Sequence, residues 1–284
     1  MRLPAFSRAA LGPLLLIILI IGLAMGHKPL ARSRLAPQWA MPQTFLANLA
    51  WPAWPVMAPA SKPFAQPTGL LELQNAEKIY SASDQAALKA ELEQALTYSA
   101  KRFGSEPKSS IQTTLKQDAN CALHGVAYTD QREIQVFTCA KIARQRVVNL
   151  AAHEFIHQLA QDRYGLYHLQ ADKILAEGLA TWGAGKYWLG GQPDFAAFVR
   201  RYQRKEQLLP LKTSVEAKSS SELNKLYYEW ASFVEFLLQT YGREKFDALY
   251  QSGSFAPGSA AYQEHCGKDL AALERAWQAW LYQN

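Results

Sequence analysis

The sequence predicts a mostly helical α+β fold. Long runs with apolar residues at three- and four-residue steps fill most of the chain beyond residue 80. Between Ile111 and Thr138, three short runs read instead as strands, the first by alternation, and tight turn residues link the last two. That combination predicts a small antiparallel sheet followed by a C-terminal helical part.

Residues 1–26 form the first unit. Ala9 to Gly26 is apolar and uncharged, with Arg2 and Arg8 ahead of it. It stands at the lower edge of the length that spans about 30 Å of hydrocarbon. A signal peptide and an uncleaved transmembrane anchor both fit; Lys28, Arg32 and Arg34 follow closely, so charge leaves the orientation open, and the expectation is that the segment directs the rest of the chain out of the cytoplasm. Residues 27–67 hold eight of the fourteen prolines and three of the eight tryptophans, Trp39, Trp51 and Trp54. Proline at that density blocks helices and central strands, so this stretch reads as a linker or a wrapping arm.

Residues 68–284 are long enough for one domain with a full core. Ser83-Asp84 marks a helix start, good helix formers run from Ala86 to Phe103, and Gly104 ends the run. Ile111–Leu115, Cys121–Tyr128 and Glu133–Thr138 read as strands, the last two joined by a turn at Thr129–Arg132. The hairpin sets Cys121 nearly opposite Cys139. Cross-strand spacing suits a disulfide only at its closest pairs, so the sequence leaves the pairing open, with Cys266 left over. Arg146 to Gln161 repeats Val147, Val148, Ala151, Phe155 and Leu159 at helical steps. After Gly165 a second helix includes Lys173 to Trp182. Tyr228–Leu237, Arg243–Tyr250 and Asp269–Tyr282 complete the helical part, with a stop at Tyr241-Gly242.

The chemistry centres on His153-Glu154-Phe155-Ile156-His157. Histidines four apart on a helix share one face, with Cβ atoms roughly 5–6 Å apart. Both imidazoles can then reach one ion at about 2.0–2.1 Å. Glu154 points about a quarter turn away, where it can take a proton from a metal-activated water without ligating. A helix, a turn and a returning helix can bring Glu177 back as the third ligand. Two histidines and a glutamate with an open fourth position is a catalytic zinc set. Gly178 allows a close helix approach there. His124, His168 and His265 read as surface or structural histidines.

HEFIH followed by Ala176-Glu177-Gly178-Leu179-Ala180-Thr181-Trp182 resembles the gluzincin zinc metallopeptidases, and more narrowly the peptidase-MA-like group. The resemblance covers roughly Arg144 to Leu281. It implies a zincin-like domain in which His153, His157 and Glu177 hold Zn2+ and Glu154 is the general base. It also implies an oxyanion donor at Tyr228, which opens a Tyr-Glu helix, with Tyr227 as the neighbouring candidate. In such enzymes an edge strand ahead of the metal helix aligns an extended substrate, a part open here to Glu133–Thr138. The chain lacks the G-x-M-E-N segment of the aminopeptidases, which argues against that specificity.

The expected activity is zinc-dependent hydrolysis of peptide bonds in a peptide or protein substrate. The alternative is a non-catalytic envelope protein that keeps the zinc as a fold element or binding platform. The net charge of +6 is dispersed among acids, which suits an anionic membrane surface better than nucleic acid. The expected location is membrane-anchored or secreted, with the catalytic domain outside the cytoplasm, as in a bacterial periplasm.

Overall fold

The computed structural model of the chain describes residues 69–203, 208–216 and 219–283. The N-terminal apolar segment and the Pro/Trp-rich stretch lie outside them. Among the described residues no helix is long and apolar enough to cross a membrane.

Strand β1 (Leu71–Gln74) leads into helix α1 (Ala82–Phe103), and β2 (Ile111–Gln117) follows. Ser81 caps α1 by accepting a hydrogen bond from the Asp84 amide, and Gly104 ends it at φ 89°, a left-handed position that glycine occupies without strain. Because α1 crosses over between them, β1 and β2 pair in parallel. Strands β3 (His124–Tyr128) and β4 (Glu133–Thr138) form the hairpin.

The sheet order is β1-β2-β4-β3, with β4 parallel to β2 and only β3 antiparallel. This corrects the expected antiparallel sheet. The residues after β2 carry the chain past one strand position, so the hairpin returns β4 into the gap beside β2. Strands consecutive in sequence are therefore not all neighbours in space. Strand β4, the candidate for aligning a substrate, is interior, and β3 holds the edge. The disulfide does form. Cys121 and Cys139 are bonded with Cα atoms 5.1 Å apart, closing the open end of the hairpin, and Cys266 is free.

Helix α2 (Arg144–Tyr164) is buried along most of its length. It packs on α1, on β3 and β4, and on α3 (Lys173–Ala184), which a 3-10 turn, Gly165–Gln170, joins to it. A helix buried all round needs partners for its polar groups. Accordingly the Asn149 carbonyl accepts from the Trp188 indole, and the Gln158 amide donates to the Thr129 carbonyl.

Helix α3 is wedged between α2 and the long helix α6 (Ser220–Gln251). Between them in sequence lie the short α4 (Lys186–Leu189) and α5 (Phe195–Gln203). Two glycines permit the wedge. A Cβ on Gly183 would stand 2.4 Å from Ile156 of α2, and one on Gly178 would stand 2.7 Å from the Trp230 carbonyl of α6. Ser219 and Glu222 form a capping box at the start of α6, and Gly242 breaks its helical geometry at φ 80°. Helices α7 (Tyr262–Cys266) and α8 (Leu270–Gln283) close the chain. Leu273, Trp277 and Leu281 form the buried face of α8.

Asp172 fastens α3 to the C-terminal part. Its buried carboxylate accepts from the amides of Ile174, Gly258 and Ala260 and from the Tyr262 hydroxyl. Burial raises its pKa, and these four hydrogen bonds counter the rise. Asp172→Ala leaves several buried donors unmatched, each costing about 1–3 kcal/mol. Urea unfolding should show a loss of about 3–5 kcal/mol. A loss below about 1 kcal/mol would mean that water replaces the carboxylate freely.

Candidate metal centre

His153 and His157 project from one face of α2, and Glu177 meets them from α3. The Nε2 atoms of the two histidines lie 3.2 Å apart. Glu177 Oε2 lies 3.3 Å from His153 Nε2 and 3.7 Å from His157 Nε2. Ligands about 2.0–2.1 Å from a tetrahedral ion stand about 3.3–3.4 Å from one another. The triangle therefore has the dimensions of three corners of such a shell. Among the described residues it is the one group of three or more His, Cys, Asp or Glu that could hold a metal ion.

The protonation states suit that use. Burial pushes the His153 imidazole down to about 4, so it stays neutral with a lone pair to offer. Burial by itself would raise the Glu177 carboxyl, but hydrogen bonds to His153 and His157 outweigh it and keep the group ionised. A neutral imidazole and an ionised carboxylate are the ligand forms a divalent ion requires.

Surrounding groups fix the ligands. Thr181, four residues after Glu177 on the same face of α3, places its hydroxyl 3.3 Å from His153 Nδ1. With an ion on Nε2, Nδ1 would carry the proton and donate to that hydroxyl, which would set the tautomer. The His153 ring is flanked by Trp188 at 5.2 Å and Tyr227 at 5.9 Å between centroids. Losing a partner of this kind costs about 10–100-fold in metal affinity. Thr181→Val keeps the volume and removes the hydroxyl. Competition against a zinc chelator should therefore show zinc held about 10–100-fold more weakly, and an unchanged affinity would assign the tautomer to another group.

Glu154 does not belong to the ligand triangle. Its carboxylate is fully buried, and neither oxygen has a hydrogen-bond partner among the described residues. Burial raises its pKa well above the usual range, and the nearby charge of Glu177 adds to the rise. The carboxylate packs against edge strand β3 at Gly125.

The two candidate tyrosines stand in different surroundings. Tyr228, the residue favoured as oxyanion donor, donates its hydroxyl to the Trp188 carbonyl at 2.7 Å and stacks on Phe198. Its neighbours form an aromatic cluster of Trp188, Phe195 and Phe198. Tyr227 is the one that reaches the centre, where its hydroxyl is hydrogen-bonded to Glu177. Burial, reinforced by Glu177, raises its pKa well above 10 and keeps the phenol protonated as a donor.

His168 is also at the centre rather than on the surface. It is fully buried, its ring lies 5.5 Å from that of His157, and its Nδ1 lies 2.9 Å from the Tyr250 hydroxyl. Burial, and then the neighbouring His157, lower its pKa well below 6.5. Four contributors thus escaped the sequence reading: Gly125, His168, Thr181 and the choice of Tyr227. Of these, Thr181 alone carries a signal in the sequence, its four-residue spacing from Glu177. The chain matches no family model in sequence, and no curated protein matches it either.

Proposed function

We propose that this protein is a zinc-dependent peptidase. The observation that carries the reading is the buried Glu154 carboxylate, unpartnered beside a three-ligand set. A purely structural zinc fills its fourth position with a protein ligand and needs no base. Zinc bound there would supply Lewis-acid activation of water. Glu154 would accept a proton from the attacking water and pass it to the leaving amine. The Tyr227 hydroxyl donates to the developing oxyanion, while Glu177 orients the phenol. Edge strand β3 takes over from β4 as the element that aligns an extended chain by backbone pairing. The Cys121–Cys139 disulfide and the apolar N-terminal segment support an oxidising location outside the cytoplasm.

One observation favours the second reading, a non-catalytic protein with zinc as a fold element. His153, Glu154, His157 and Glu177 are each at most 2 % exposed. The decisive experiment incubates zinc-loaded protein with a quenched-fluorescent peptide library, with and without chelator. Peptidase action predicts cleavage that chelator abolishes and added zinc restores. A chelator that lowers the melting temperature of a protein cleaving no peptide would establish the structural role instead.

A further inference from the structure

Glu154 is held unlike the other buried carboxylates. Asp172 accepts four hydrogen bonds, and Glu235 is fixed by the amides of Phe195 and Ala196. Glu154 has no such bond among the described residues. At Gly125 it lies against a backbone position that carries no side chain. A Cβ at Gly125 would stand 2.6 Å from Glu154 Oε1, 2.9 Å from Cγ and 3.0 Å from Cδ. Real Cβ atoms essentially never approach as closely as the first two of these distances.

Glycine is not needed at 125 for the chain to turn. The residue lies within β3, and its φ is not among the positive values of the chain. Glycine inside a strand weakens it, and a common reason for its presence is close approach by another group. The strand cannot retreat easily. Gly125 is paired with Val136 of interior strand β4, and the Cys121–Cys139 disulfide ties the two strands together at one end.

We infer that Gly125 is a positioning residue for the general base. Edge strand β3 presents a side-chain-free wall that fixes the Glu154 carboxylate by contact, leaving both oxygens available for proton transfer. The contact stands on geometry alone, whereas its catalytic consequence rests on the peptidase reading.

A double-mutant cycle on the full chain tests it, using Gly125→Ala, Glu154→Ala and the double variant. In the native background Gly125→Ala should lower the melting temperature by about 2–8 °C, the usual range for overpacking. In the Glu154→Ala background the colliding atoms are gone, so the same change should lower it little or raise it. Equal effects in the two backgrounds would overturn the inference. Should Gly125→Ala fail to fold, restoration of folding by Glu154→Ala supports the contact and failure to restore it refutes it.

The second arm follows cleavage of a quenched-fluorescent peptide. Displacing a reacting group by about 1 Å costs on the order of 10²-fold in rate. Gly125→Ala should therefore lose about 10²-fold in kcat, with KM and the zinc content per chain unchanged. Full turnover by Gly125→Ala would refute the positioning role. If the native protein cleaves nothing while the melting cycle shows coupling, the peptidase reading fails and the Gly125 contact stands.

Discussion

Replacing Glu154 by glutamine should lower turnover by about 10²–10⁴-fold, the range that a general base contributes. Glutamine keeps the size of the side chain but cannot accept the proton from the attacking water. Zinc content, read by metal analysis, should stay near that of the native protein because Glu154 lies outside the ligand triangle. The stability effect has a definite sign. The native carboxylate is buried without a hydrogen-bond partner, and Glu177 repels its charge. Because the raised pKa makes ionisation of Glu154 unfavourable in the folded state, metal-free native protein should lose stability relative to Glu154→Gln as pH rises from the ordinary carboxylate pKa toward the raised one, read as melting temperature against pH. Full activity in this variant would remove Glu154 from the chemistry. Loss of zinc would make it a ligand instead.

Tyr227→Phe should lower kcat by about 10²–10³-fold with KM little changed, as removal of one oxyanion donor does. The adjacent Tyr228→Phe should leave turnover near the native value. It forfeits the hydrogen bond to the Trp188 carbonyl, a stability cost of about 0.5–1.5 kcal/mol visible in urea unfolding. The pair separates the two tyrosines cleanly, since both are buried and each loses one hydroxyl. If Tyr228→Phe is the inactive variant, the oxyanion assignment reverts to that residue. If Tyr227→Phe sheds zinc, the hydroxyl serves to orient Glu177 rather than to stabilise the reaction.

Periodicity located the long helices, which have apolar faces and chemical punctuation, and passed over the shorter α4, α5 and α7. Gly104 ends α1, Gly165 ends α2, and Gly242 interrupts α6 where the sequence placed a stop. The candidate ligand set was legible because two of its members are fixed by helix geometry four residues apart. Glu177 followed from one helical return. Strand order was not legible, because alternation reveals which side of a strand is buried but not which strand sits beside it. Strand β1 has only four residues and was passed over for its shortness. The choice between Tyr227 and Tyr228 depends on the rotation of α6 against α3. That rotation is set by the contact between Gly178 and the Trp230 carbonyl, which no local pattern encodes.

The wedged helix α3 also bears on the order in which the chain acquires its parts. His153 and Glu177 are 24 positions apart, and loop-closure entropy grows slowly with length, so the ligand triangle is a low-contact-order feature. Asp172 meets Tyr262 across 90 positions, and Tyr227 follows Glu177 by 50 positions. During synthesis the ligands leave the ribosome well before the helices that enclose them. Metal capture can then precede enclosure, while the hydroxyl that completes the proposed reaction arrives later. A chain of this topology can bring its three candidate ligands together while the centre is still open to solvent, before the C-terminal helices dock.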